Sequence, residues 1–115
     1  MLLKLILLLT FLYCGISYSQ LSELSLLLKK NDPQRFSYIE EYSKNKWDTN
    51  SAVTFEINKQ AEGVVHVMKL LNEHWDCQEH KTIIVMAMLK YSEDSDNFSD
   101  ADWWSIYQEI KNKMD

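Results

Sequence analysis

Between positions 74 and 80 the chain reads His74-Trp75-Asp76-Cys77-Gln78-Glu79-His80, with a histidine, a cysteine and a histidine three residues apart and two carboxylates among them. Imidazole, thiolate and carboxylate are the ligands zinc takes in tetrahedral sites. Residues three apart share a helix face, but residues six apart lie about 240° around it. His74, Cys77 and His80 therefore meet on one ion only where the helix breaks near Cys77. The alternative is a polar turn between two helices holding one half-buried thiol. A Cys–His nucleophile from the same residues needs a base oriented by a third group, and neighbours in one turn supply neither that nor an oxyanion hole. No catalytic residue is expected, and the chain reads as no enzyme.

The run Glu93, Asp94, Asp96, Asp100 and Asp102 invites comparison with a calcium loop. That loop alternates oxygen ligands and takes Gly at its sixth position. Counted from Asp94, the fifth residue is Phe98 and the sixth Ser99, so the pattern fails and no cofactor is expected. A solvated acidic loop beside a helix N-terminus is the simpler reading, since negative charge is favoured there. Of the 4 tryptophans, Trp75 and Trp103 fall on apolar stripes and read as core, while Trp47 fits either core rim or surface. Trp104 is off the stripe and close to the acidic loop, as an exposed binding anchor would be. The candidate partner-binding residues are Trp104, Glu93, Asp94, Asp96 and Asp100.

These side chains must be positioned by helices. Leu21, Leu24, Leu27 and Leu28 give a short first helix that stops near Asn31. Asp32-Pro33 starts a second, with Asp as N-cap and Pro at the first helical position; Phe36, Ile39 and Tyr42 form its stripe, ending near Trp47. After the capping-rich turn Asp48-Thr49-Asn50-Ser51, the residues Val53, Ile57, Ala61, Val64, Met68, Leu71 and Trp75 mark one apolar face. That face belongs to a helix of about 24 residues, roughly 36 Å long. The alternation of Val53, Phe55 and Ile57 suits a strand, but only over one short segment. Gly63 inside the helix costs about 1 kcal/mol relative to Ala; a close helix–helix approach is one reason for it and a kink the other. Ile83 to Leu89 is apolar on all sides, which predicts the central helix of the bundle. Ser99-Asp100-Ala101-Asp102 resembles a capping box, with Phe98 and Trp103 as its hydrophobic staple. Trp103, Ile106, Tyr107, Ile110 and Met114 make the inward stripe of the last helix. The fold class expected is all-α, a compact bundle of about five helices.

The N-terminus carries Lys4, an apolar run from Leu5 to Tyr13, and small residues at Ser17 and Ser19. That order is a secretory signal, and the run is shorter than the roughly 20 apolar residues of a membrane span. The expected organisation is a signal peptide over 1–19 and one helical domain over 20–115, acting in the periplasm or outside the cell. No stable membrane insertion is expected after cleavage. Cys14 does not fit the cysteine of a lipid-anchored precursor, because Tyr13 stands where a small residue belongs. The short signal cut before Gln20 resembles those of Bacteroidetes; in a eukaryotic secreted protein Asn97-Phe98-Ser99 would accept a glycan.

The 115-residue chain has 12 basic and 17 acidic residues; without Lys4 the remainder carries 11 against 17, net −6. That balance argues against nucleic acid, which is bound chiefly through Lys and Arg on phosphate. It suits a basic protein partner. Cleavage also removes Cys14 and leaves Cys77 as a single thiol, buried or bridging a homodimer. With 2 Gly and 1 Pro, the chain lacks the turn punctuation of a small β-protein.

Three stretches carry a family resemblance: Leu26-Leu27-Leu28 with Asn31-Asp32-Pro33, then Glu62-Gly63-Val64-Val65, then His80 to Met114 with Leu89-Lys90-Tyr91 ending its apolar helix. Together they resemble the Rap/Tai-type immunity proteins of type VI secretion systems. The resemblance implies a periplasmic helical inhibitor that binds and occludes a secreted peptidoglycan amidase toxin and does no chemistry itself. Members often carry a paired disulfide; Cys77 would match one half, and residues 20–115 hold no second cysteine. Two other readings stand beside this one. A carrier of an apolar ligand is suggested by Met68, Met86 and Met88, since Met fills irregular space. A metal-binding exported protein would use His74, Cys77 and His80.

Overall fold

The computed structural model describes residues 20–114, and these form five α-helices with no strand among them. The expected signal and Cys14 lie outside the described residues. Helix α1 spans Glu23–Asn31, α2 Pro33–Lys46, α3 Asn50–Glu73, α4 Gln78–Lys90 and α5 Trp103–Met114. The fold is all-α. None of these helices is long and apolar enough to cross a membrane.

Local chemistry sets most boundaries. The Ser22 hydroxyl accepts from Ser25 N at 3.1 Å and starts α1. Asp32 serves two helices: its N–H donates to Leu28 O at 2.7 Å, closing α1, and its carboxylate accepts from Arg35 N at 3.1 Å, opening α2 at Pro33. Thr49 caps α3 through Ala52 N at 3.3 Å. Each of these caps satisfies a backbone N–H that the first helical turn leaves without a partner.

Helix α3 is the central element and contacts all four others. Its buried face, with Ile57, Ala61, Val64 and Val67, meets Leu28 of α1, Phe36 and Ile39 of α2, Ile84 of α4, and Trp103, Ile106 and Ile110 of α5. Gly63 allows the closest approach. A Cβ there would lie 2.5 Å from Trp103 O, so α3 and α5 touch backbone to backbone, as expected of a glycine inside a helix.

Three expectations are corrected. The helix apolar all round is not central: Val85, Met86 and Leu89 of α4 are exposed, and only Ile84, Ala87 and Met88 are buried. It packs chiefly on α5, and its outer side has no neighbour among the described residues. The stripe of α3 also fails toward its end, where Met68 is exposed and Trp75, beyond the helix, is 56 % exposed. The side-chain bonds tying α3 to α1 and to the end of α2 fall at Glu56 and Asn58, in its first half. In the second half Val64 and Val67 stay buried and Leu71 packs against the core, so Met68 and Trp75 are the stripe residues that leave it. Finally, the cap of α5 is Asp102 rather than Ser99: Asp102 accepts from Ser105 N at 3.2 Å and from the Ser105 hydroxyl at 2.7 Å. Phe98 still meets Trp103, ring centroids 6.1 Å apart, from a left-handed backbone at φ 55°.

Candidate functional site

The side chains capable of recognition fall into three places. The first is an open groove of about 320 Å³ between α1, α3 and α5, walled by Leu24, Phe55 and Trp104 and flanked by Lys59 and Glu62. Phe55 is 68 % exposed, although its neighbours Glu56 and Ile57 are buried. It is off the apolar face of α3, so the helix that buries Ile57 turns Phe55 outward. Asn58 fixes the start of α1 beside it: its side-chain oxygen accepts from Ser22 N at 2.8 Å and the Ser25 hydroxyl at 2.7 Å, and its amide donates to Gln20 O at 2.6 Å.

Trp104 is set by a buried network behind the groove. Gln60 accepts from Trp103 N at 2.6 Å and Trp104 N at 3.4 Å, and its amide donates to Glu56 and to Asp102, each at 2.9 Å. Glu56 also accepts from Trp47 Nε1 at 3.0 Å and pairs with Lys46 Nζ at 2.9 Å. A residue 1 % exposed thus keeps its charge fully partnered. Burial by itself raises the Glu56 carboxyl; the bonds from Gln60, Trp47 and Lys46 outweigh it and hold the group below its ordinary value. Asp102 follows the same pattern, with burial opposed by Gln60 and Ser105. Tyr42, beside them, is pushed up by burial and by the Asp102 carboxylate. Among the described residues no buried side-chain N or O lacks a partner. This is a satisfied brace, and it presents Trp104 in an edge-to-face pair with Tyr107, 6.0 Å between centroids, and with Lys59 Nζ 5.8 Å from its ring centroid.

The second place is a polar cavity of about 550 Å³ between α2 and the loop, lined by Tyr38, Glu41, Tyr42, Asn45, Lys46, Ser99 and Asp100. The loop acids are largely turned onto their own backbone. Asp100 accepts from the Ser92 hydroxyl, Glu93 N and Asp94 N; Asp94 accepts from Asp96 N, Asn97 N and the Ser99 hydroxyl. Hydrogen bonds led by Ser99 and Ser92 lower the carboxyls of Asp94 and Asp100. Arg35 clamps the loop to α2 through Asn97 O at 2.7 Å and Phe98 O at 3.0 Å. The structure therefore does not gather the expected binding residues into one site. Trp104 lies in the apolar groove, Asp100 lines the polar cavity, and the backbones of Glu93 and Asp96 serve the loop turn.

The third place is the corner between α3 and α4. The helix does break at Cys77, which has extended backbone at φ −100° and ψ 105° and is a half-buried free thiol. His74 and His80 come together with Nδ1 to Nδ1 at 3.0 Å. The three-ligand reading is corrected, however: among the described residues no group of three His, Cys, Asp or Glu is arranged to hold a metal. Met68 and Met86 are exposed, so of the three methionines noted only Met88 belongs to the core.

Compared with protein-family models, curated proteins and solved structures, the chain has no significant match in any of the three.

Sequence reasoning missed Phe55 and Leu24 as groove walls. Phe55 did carry a signal, being a large aromatic off the apolar face of its helix. Gln60 carried little: its partners Asp102 and Trp103 lie 42 and 43 residues away.

Proposed function

We propose that this chain is a protein-binding module that acts by occlusion, docking a partner on the groove formed by Leu24, Phe55 and Trp104. The observation that carries the reading is Phe55: a large aromatic side chain held 68 % exposed on the rigid central helix, in the same groove as a braced tryptophan. Aromatic anchors of this kind dominate interface energies, and burying one such side chain contributes about 1.5–3 kcal/mol. The flanking Lys59 and Glu62 supply a charged rim of both signs, which favours a matched partner over nonspecific association.

The partner we propose is an exported peptidoglycan amidase, which this chain would hold inactive. That assignment rests on the resemblance to Rap/Tai-type immunity proteins and on the secretory pattern of residues 1–19. The acidic chain, net −5, favours encounter with a basic surface.

The test is to purify the protein with a secreted peptidoglycan amidase, sought first among the open reading frames adjacent to its gene, and to measure peptidoglycan cleavage and complex formation. Stoichiometric inhibition by the wild type, relieved in Phe55→Ala, is the expected result. Full amidase activity in the presence of excess protein would remove the amidase assignment. A complex that Phe55→Ala and Trp104→Ala leave intact would remove the groove.

A further inference from the structure

We propose that His74 and His80 form a binding site for one partly hydrated divalent cation of borderline softness, such as Zn²⁺ or Cu²⁺, that locks the corner between α3 and α4. His74 is the C-cap of α3, anchored by its N–H to Leu70 O at 2.9 Å. His80 sits in the opening turn of α4, whose start is tied back by Cys77 N to His74 O at 3.0 Å. Both rings are thus carried on fixed helix ends, and neither depends on a long flexible stem for its place.

The geometry of the two rings points to a shared ion. A contact between two Nδ1 atoms at 3.0 Å needs one to donate and the other to accept. The rings do not point straight at each other: their centroids are only 4.7 Å apart and their planes are inclined by 77°. What the two rings share is the approach of their Nδ1 atoms, 3.0 Å apart at the edge of the pair. Zinc holds each imidazole nitrogen at about 2.0–2.1 Å, which sets two such nitrogens slightly farther apart than the present contact, so a small outward shift admits an ion. The donor ring moves its proton to Nε2, and both Nδ1 lone pairs then face the metal. A neutral pair need release no proton.

The donor set selects the class of ion. Imidazole suits zinc and copper, while magnesium and calcium prefer oxygen. Because no third His, Cys, Asp or Glu joins the pair among the described residues, water completes the coordination. Cys77 is therefore not assigned as a ligand. The inference is independent of the occlusion reading and survives its failure.

Protein purified without a histidine tag and stripped with chelator should be titrated with Zn²⁺, and separately with Cu²⁺, by calorimetry. Imidazole NMR signals should be followed alongside the Zn²⁺ titration, and the thermal midpoint measured with and without metal. The expected result is one equivalent bound, perturbation of the His74 and His80 rings with His66 unmoved, and a raised midpoint. His74→Gln and His80→Gln should each weaken binding at least about tenfold, while Cys77→Ser and His66→Gln leave it unchanged. Absence of binding up to millimolar metal, ring signals that do not move in the wild type, or full affinity in the doubly substituted protein would overturn the site. Loss of binding in Cys77→Ser would overturn it too, in favour of a thiolate site. The wild-type ring signals decide the matter even if a histidine variant fails to fold, which far-ultraviolet circular dichroism will reveal.

Discussion

Gly63 and Trp103 meet with no side chain between them: a Cβ on Gly63 would stand 2.5 Å from the Trp103 carbonyl oxygen and 2.9 Å from Trp104 N. Both surfaces are backbone, so no rotamer change can relieve the overlap, and α5 must move. Gly63→Ala is expected to lower stability by about 1–3 kcal/mol, the usual cost of overpacking, even though Ala is the better helix former by about 1 kcal/mol. Urea unfolding measures it; a midpoint equal to or above that of the wild type would refute the contact.

Gln60 joins Glu56, Asp102 and the backbone of Trp103 at one buried point. Gln60→Leu keeps the volume but strands the Trp103 N–H and removes a donor from each carboxylate. The expected loss is about 1–3 kcal/mol for each buried group left unsatisfied. The readout is the unfolding midpoint together with intrinsic tryptophan fluorescence, to which buried Trp103 contributes and which should report a loosened environment.

The same network sets the acid response. Glu56 and Asp102 both have folded values below their ordinary ones. Such groups contribute stability above the unfolded carboxylate range and lose it as pH falls through the folded values. Unfolding free energy should therefore be flat from about pH 6 to 8 and drop below about pH 4. Glu56→Gln should be less stable at pH 7 yet lose less on acidification. Equal slopes for the two proteins would disprove the link.

Phe55 separates binding from folding. Its exposed side chain contributes little to the core, so Phe55→Ala should change stability by no more than about 0.5 kcal/mol. Affinity for the proposed amidase partner should fall about thirtyfold or more, as for a central interface anchor. Surface binding kinetics beside a melting curve distinguish the two effects.

Much of the fold was legible because its signals are local. Asp32-Pro33 and Thr49 announce helix starts, since a cap depends on atoms within three residues. The 3.6-residue period reports that a segment is helical whatever it packs against. Gly63 was likewise readable, because a glycine inside a long helix costs stability and needs a neighbour that only the missing Cβ admits.

Other features depend on where the helices lie relative to one another. The apolar run of α4 carries no mark of which side will be covered; α5 covers one, and Val85, Met86 and Leu89 remain outside. Trp75 continues the stripe of α3 in sequence, yet the helix has ended and the ring stands in the open with Lys81 Nζ 3.9 Å from its centroid. On an unbroken helix His74 and His80 would point to different sides; the break at Cys77 brings their Nδ1 atoms within 3.0 Å. Periodicity and capping, being short-range, determined five helices and most of their ends. The buried brace at Gln60 and the groove around Phe55 required three helices to meet, and long-range packing decided that.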